Sequence, residues 1–113
     1  MNDRELLEMA AKAAAIEGTY VRVHQAYGDQ WVEGIDTGAP VFWNPLTDDG
    51  DALRLAVKLG MDVCFGANYV VVRGAVQSPI VNNANDPYAA TRYAITRAAA
   101  EIERARITTE DGK

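Results

Sequence analysis

Residues 43–65, WNPLTDDGDALRLAVKLGMDVCF, hold a loop, a capped helix, a stop and an apolar strand in unbroken succession. Thr47 stands where an N-cap belongs. Asp48, Asp49 and Asp51 fill the first turn, so side-chain oxygens and negative charge meet the unpaired amides and the positive helix end. The helix is expected from about Asp48. Leu53, Ala56 and Val57 fall on one face, Ala52, Leu55 and Leu59 broaden it, and Gly60 supplies the left-handed residue that ends it. The apolar run 61–65 follows at once and reads as a strand. The stretch specifies structure and contains neither a nucleophile paired with a base nor a phosphate loop.

Working outward, Asn2 or Asp3 can cap a first helix running to about Ile16, with Leu6, Leu7, Ala10 and Ala14 on one face and Gly18 as its stop. Residues 19–27 turn β-branched and aromatic: Val21, Val23 and Gln25 alternate with Tyr20, Arg22 and His24, the period of a half-buried strand. Gly28 and Asp29 make a turn, and residues 30–35 return as a second strand bearing Trp31. Residues 36–40, DTGAP, break it, and residues 41–43 fit an extended lead-in or an edge strand equally well. Beyond the central helix, residues 61–65 and 69–76 form a hairpin through Gly66, Ala67 and Asn68, which Ser78 and Pro79 end. A polar loop with Asn82, Asn83 and Asn85 leads into Asp86 and Pro87, an N-cap followed by proline at the first helical position. The last helix carries Tyr88, Thr91, Ile95, Ala98, Ile102 and Ala105 as a narrow seam, with Arg92, Arg97, Arg104 and Arg106 off it. It is expected to reach about Ile107, and residues 108–113 to fray. The sum is one α+β domain: a small antiparallel sheet of about four strands in two hairpins, with three helices mainly on one face.

A chain of 113 residues buries about 65% of its unfolded surface, enough for one modest core. Hydrophobic residues make up 49% and charged residues 24%, the balance of a globular domain, and no apolar run approaches the ~20 residues that span a bilayer. The first residues are too polar for a signal peptide, which points to the cytoplasm. Cys64 is the single cysteine, so no internal disulfide and no multi-cysteine zinc site is possible. A net charge of -5 opposes direct DNA binding, while an acidic surface can meet a basic patch on another protein.

The blocks WNPLTDDGDALRLAVKLG (43–60) and DPYAATRYAITRAAAEI (86–102), in this order around a variable hairpin, resemble a group of small bacteriophage proteins of uncharacterised function. More distantly the chain is similar to NinX-like accessory proteins of lambdoid phages, which share a polar Asn-Pro segment before the middle helix and an Asn/Asp-Pro start to the last. The resemblance implies a phage accessory gene product, of a kind that often acts on host functions, immune systems included. Residues 19–42 match neither pattern.

Several constellations invite a chemical role. The carboxylates of Asp48, Asp49 and Asp51 could hold a hard cation, but an acidic first turn already stabilises the helix, and the loop lacks the ligand alternation of a calcium hand. Cys64 and His24 would have to serve together in any cysteine hydrolase, with no third residue to orient them. No catalytic residue, metal site or cofactor is therefore expected. The glycines fit no phosphate cradle, so a bound phosphate would rely on Arg22, Arg73, Arg92 and Arg97, whose guanidinium forks grip two oxygens at once. Trp31, Trp43, Tyr69, Tyr88 and Tyr93 could stack on a base while Asn68, Asn82, Asn83 and Asn85 read its polar edge. The alanine-rich first and last helices also suit a homodimer.

The expectation from sequence is thus a non-enzymatic phage protein that counters host defence. It would capture a nucleotide-derived immune signal through Arg22, Trp43, Tyr69, Arg73, Asn82, Asn83, Tyr88, Arg92, Tyr93 and Arg97. The alternative is an anti-CRISPR-like inhibitor that turns Asp48, Asp49 and Asp51 toward a basic surface of a host complex, and a third is a structural accessory protein.

Overall fold

The computed structural model describes residues 1–25, 30–74, 80–82 and 85–111. Helix α1 spans Asp3–Ala13 and opens on Asn2, whose side chain accepts a hydrogen bond from the Glu5 amide at 2.8 Å. It stops short of the expected Ile16, because Ala15 takes the left-handed conformation (φ 56°). The amides of Ala15 and Ile16 then bond back to Lys12 and Ala11, a Schellman closure.

Strands β1 (Thr19–His24) and β2 (Trp31–Asp36) form an antiparallel hairpin in continuous register from Thr19 opposite Asp36 to His24 opposite Trp31. The expected turn at Gly28 and Asp29 lies outside the described residues. Trp43 makes a single bridge to Ile35, with amide-to-carbonyl bonds of 2.8 and 2.9 Å, so residues 41–43 are a lead-in that touches the hairpin once. Gly34 permits that crossing: a Cβ there would lie 2.7 Å from the Trp43 carbonyl oxygen.

Helix α2 spans Asp49–Lys58, and its N-cap is Asp48, not Thr47. The amides of Thr47 and Asp48 both bond to the Asn44 carbonyl, which draws Thr47 into the preceding turn and leaves the Asp48 carboxylate to accept from the Asp51 amide. Gly60 (φ 65°) ends the helix, with Met61 bonded back to Ala56. Strands β3 (Asp62–Phe65), β4 (Tyr69–Arg73) and β5 (Ile80–Asn82) follow in the order β3-β4-β5, all antiparallel. β4 ends at Arg73, so Gly74 falls outside the expected strand, and its expected continuation over residues 75–76 and the stop at Ser78 and Pro79 lie outside the described residues.

The expectation of one sheet of about four strands is therefore corrected to two sheets, of two and three strands, within an α+β fold. β5 was hidden by its length, three residues beside an asparagine-rich segment. With two sheets there is no common face for the helices. α1 packs against β1 and β2, and α3 against β4 and β5.

Helix α3 spans Pro87–Asp111, beyond the expected Ile107, and Asp86 caps it by accepting from the Tyr88 and Ala89 amides. It is the centre of the molecule, touching α1, α2, β4 and β5. Ala90, Ala94, Ile95, Thr96, Ala98, Ala99, Ala100 and Glu103 are all buried, so the expected narrow seam is instead burial around most of the helix. Alanine makes this possible, since it lets the α1 backbone approach closely through Ala10, Ala11 and Ala14. No helix among the described residues is long and apolar enough to cross a membrane.

Candidate functional site

The site begins with a mismatch on α2. At 3.6 residues per turn its buried side is Ala52, Leu55 and Ala56, which leaves Leu53 and Val57, one turn apart, on the outside at 64% and 71% exposure. The expected face of Leu53, Ala56 and Val57 is thus split, with only Ala56 inside. Leu53 borders a groove of about 580 Å³ whose walls are α2 and the first two turns of α3. Ala52, Ala56, Val63 and Ile95 line it, and Phe65 and Tyr88 stand at its rim, exposed at 68% and 71%. Its size falls within the range of ligand sites, but its lining is nearly all apolar.

One polar feature closes the groove. Arg92 donates from Nε to the Leu46 carbonyl (3.0 Å) and from a terminal nitrogen to Asp49 (2.7 Å), tying α3 to the turn before α2. That turn is built on Asn44, which is buried. Its amide nitrogen donates to the Glu33 carbonyl (2.9 Å), its side-chain oxygen accepts from the Leu46 amide (2.9 Å), and its backbone amide donates to Asp51 (3.0 Å). Asn44, with the buried Pro45 beside it, therefore joins β2, the turn and α2.

The acidic turn is engaged in structure throughout. Asp48 caps α2, Asp49 binds Arg92, and Asp51 binds the Asn44 amide and Arg54 (2.8 Å). Among the described residues no three His, Cys, Asp or Glu side chains converge to hold a metal ion. Cys64 lies in the three-stranded sheet and His24 in the hairpin, on separate sheets.

The ten ligand candidates do not form one site. Tyr88 and Arg92 line the groove. Tyr93 and Arg97 lie between about 100° and 180° around α3 from them, where Arg97 donates to Glu101 (3.0 Å) and to the Tyr93 hydroxyl (3.2 Å). Those bonds, Glu101 first, raise the Arg97 pKa further. Tyr69, Arg73 and Asn82 alternate with the buried Val70 and Val72 along the sheet and so occupy its outer face, away from the helices. Arg22 lies on the hairpin, 4.6 Å over the Trp31 ring. Trp43 is half-buried between the two parts of the core. Asn83 lies outside the described residues. Conversely, Leu53, Val57 and Phe65 were not read as site residues, although a signal existed. Five apolar positions on a ten-residue helix are more than one buried side can cover.

Comparisons with protein families, curated proteins and solved structures return no match to this chain.

Proposed function

We propose that this chain is a non-enzymatic binding protein whose working surface is the groove between α2 and α3, and that it holds an apolar-faced segment of another protein there. One observation carries the reading: Leu53, Phe65 and Tyr88, which line the groove beside its buried apolar residues, are themselves exposed at 64%, 68% and 71%. A contiguous apolar strip of this kind marks an interaction surface, and a groove between two helices accepts a helix through side chains spaced three and four apart. The resemblance to phage accessory proteins supports a partner in the defence apparatus of an infected bacterium, and a place in its cytoplasm. The inhibitor reading is thereby moved from the acidic turn, whose carboxylates have internal partners, to the groove.

The test is co-purification from infected host cells with the parent chain and three variants. A partner retained by the parent and by Arg97→Ala, but lost from Leu53→Glu and Tyr88→Glu, supports the groove. A partner that persists on Leu53→Glu and Tyr88→Glu excludes it. Capture of a nucleotide-derived signal is the second reading, favoured by Tyr88 and Arg92 meeting in one groove. It requires a thermal shift with a cyclic or ADP-ribose-type nucleotide that Tyr88→Ala abolishes.

A further inference from the structure

Strand β3 ends the three-stranded sheet, so one of its two edges faces no other strand. The Gly66 amide donates to the Tyr69 carbonyl at 2.8 Å, which fixes the phase of the ladder. Counting back from Gly66 along the register, Cys64 and Asp62 turn their backbone groups toward β4, while Val63 and Phe65 turn theirs outward. No backbone hydrogen bond among the described residues reaches Val63 or Phe65 from that side. An open row of N–H and C=O groups is a template for another strand. The other described strands are guarded: Trp43 crosses β2 at Ile35, β1 carries Arg22 and His24, and β5 is three residues long. After the single charge of Asp62, β3 runs apolar through Val63, Cys64 and Phe65.

The same phase decides which strand fits. Two copies of β3 laid antiparallel about a twofold axis must set outward residues against outward residues. With Cys64 opposite the partner's Cys64, each Val63 lies opposite the partner's Phe65 and exchanges both backbone hydrogen bonds with it. These apolar pairs fall on the side of Val70 and Val72, where Phe65 is exposed at 68%. Each Asp62 falls opposite the partner's Gly66, which keeps the two carboxylates roughly 13 Å apart along the strands, beyond a screening length of about 8–10 Å. A register centred on Val63 halves that separation, and one centred on Phe65 runs past the end of the strand. The alanine faces of α1 and α3, expected from sequence to join two copies, are unavailable, because Ala10, Ala14, Ala94, Ala98 and Ala99 are buried within one chain.

We propose that two copies of this chain pair through the β3 edge and form one continuous sheet in the order β5-β4-β3-β3-β4-β5 about a twofold axis. The occupant is a second copy because identical strands satisfy the outward residues of both edges at once, match apolar to apolar, separate like charges and leave neither β3 edge open. The inference goes beyond the groove reading, since its hydrogen bonds involve neither α2 nor α3.

Light scattering with dilution from about 1 mM tests it. The full chain is expected at twice its 12.3 kDa mass when concentrated and at one mass when dilute. Phe65→Pro removes an outward N–H and leaves the bonds to β4 in place, and Phe65→Lys adds a guarding charge. Each is expected to weaken pairing about tenfold or more with circular dichroism unchanged. Hydrogen exchange of the Val63 and Phe65 amides is expected to slow as concentration rises. Diamide, which takes up the two thiol hydrogens, is expected to join Cys64 to the partner's Cys64, since a pair of this kind sets its Cα atoms about 4.5 Å apart, within disulfide reach. Phe65→Pro slows that cross-link about tenfold. A single mass at every concentration overturns the inference, as does pairing that survives both Phe65 substitutions. Protection of the two amides that requires a foreign protein overturns it as well. If the chain stays single while Leu53→Glu abolishes partner binding, the inference fails and the functional reading stands. If pairing obeys both Phe65 substitutions and no partner depends on Leu53, the reverse holds.

Discussion

Ala15 is the only non-glycine residue at positive φ among the described residues, and it stands where most helices place glycine. The β-carbon of an L-residue is strained in that conformation by about 1–2 kcal/mol, part of which glycine returns as unfolded-state entropy. Ala15→Gly is therefore expected to raise stability by about 0.5–1 kcal/mol in denaturant melts. Tyr20 poses the opposite question, of a side chain held too well. Its hydroxyl donates to Glu33, and that hydrogen bond, with burial and the Glu33 charge behind it, raises the Tyr20 pKa above its ordinary value of 10.0. The folded state thus favours the protonated phenol. The contribution is complete below pH 10 and declines as pH rises through the raised folded value. Tyr20→Phe is expected to melt below the parent at pH 7 and to converge with it in strong alkali.

At the scale of elements the connection between the hairpin and α2 depends on Asn44. Its side chain satisfies one donor and one acceptor of the backbone in a buried setting, where leaving either unpaired costs about 1–3 kcal/mol. Asn44→Ala is expected to destabilise by about 2–4 kcal/mol, read from chemical denaturation, more than Thr47→Ala on the same turn. This residue was visible in the sequence only as half of an Asn-Pro pair. Nothing local shows that its amide reaches Glu33, eleven positions away. The caps were more legible. Asp86 and Gly60 act as local chemistry requires, and the shift of the α2 cap from Thr47 to Asp48 is a one-residue displacement caused by the Asn44 turn.

The whole molecule is flat, 43 × 41 × 22 Å, with a radius of gyration of 14.4 Å against about 13 Å for a compact chain of this length. A central helix buried around most of its circumference and a hairpin exposed at Arg22, Val23, His24 and Trp31 should differ in local stability. Amides of residues 94–100 are expected to exchange slowest, at the global unfolding rate, and those of residues 22–24 and 31–32 orders of magnitude faster. The core itself is narrow in tolerance: Ala99→Leu, at a fully buried position beside Ala10 and Ala14, is expected to cost about 1–3 kcal/mol by overpacking.

The sequence by itself determined the α+β class, the starts of α2 and α3 to within a residue, the stop of α2 at Gly60, and the pairing of the two hairpins, because caps, turns and strand alternation act over a few residues of backbone. Only the tertiary structure decided that the strands form two sheets, that α3 is central, that Leu53 and Val57 face outward beside a groove, and that the arginines and tyrosines read as one site are dispersed. The reason is physical. Hydrophobic burial is non-directional, and alanine marks no preferred face, so which side of a helix is covered depends on neighbours distant in the chain.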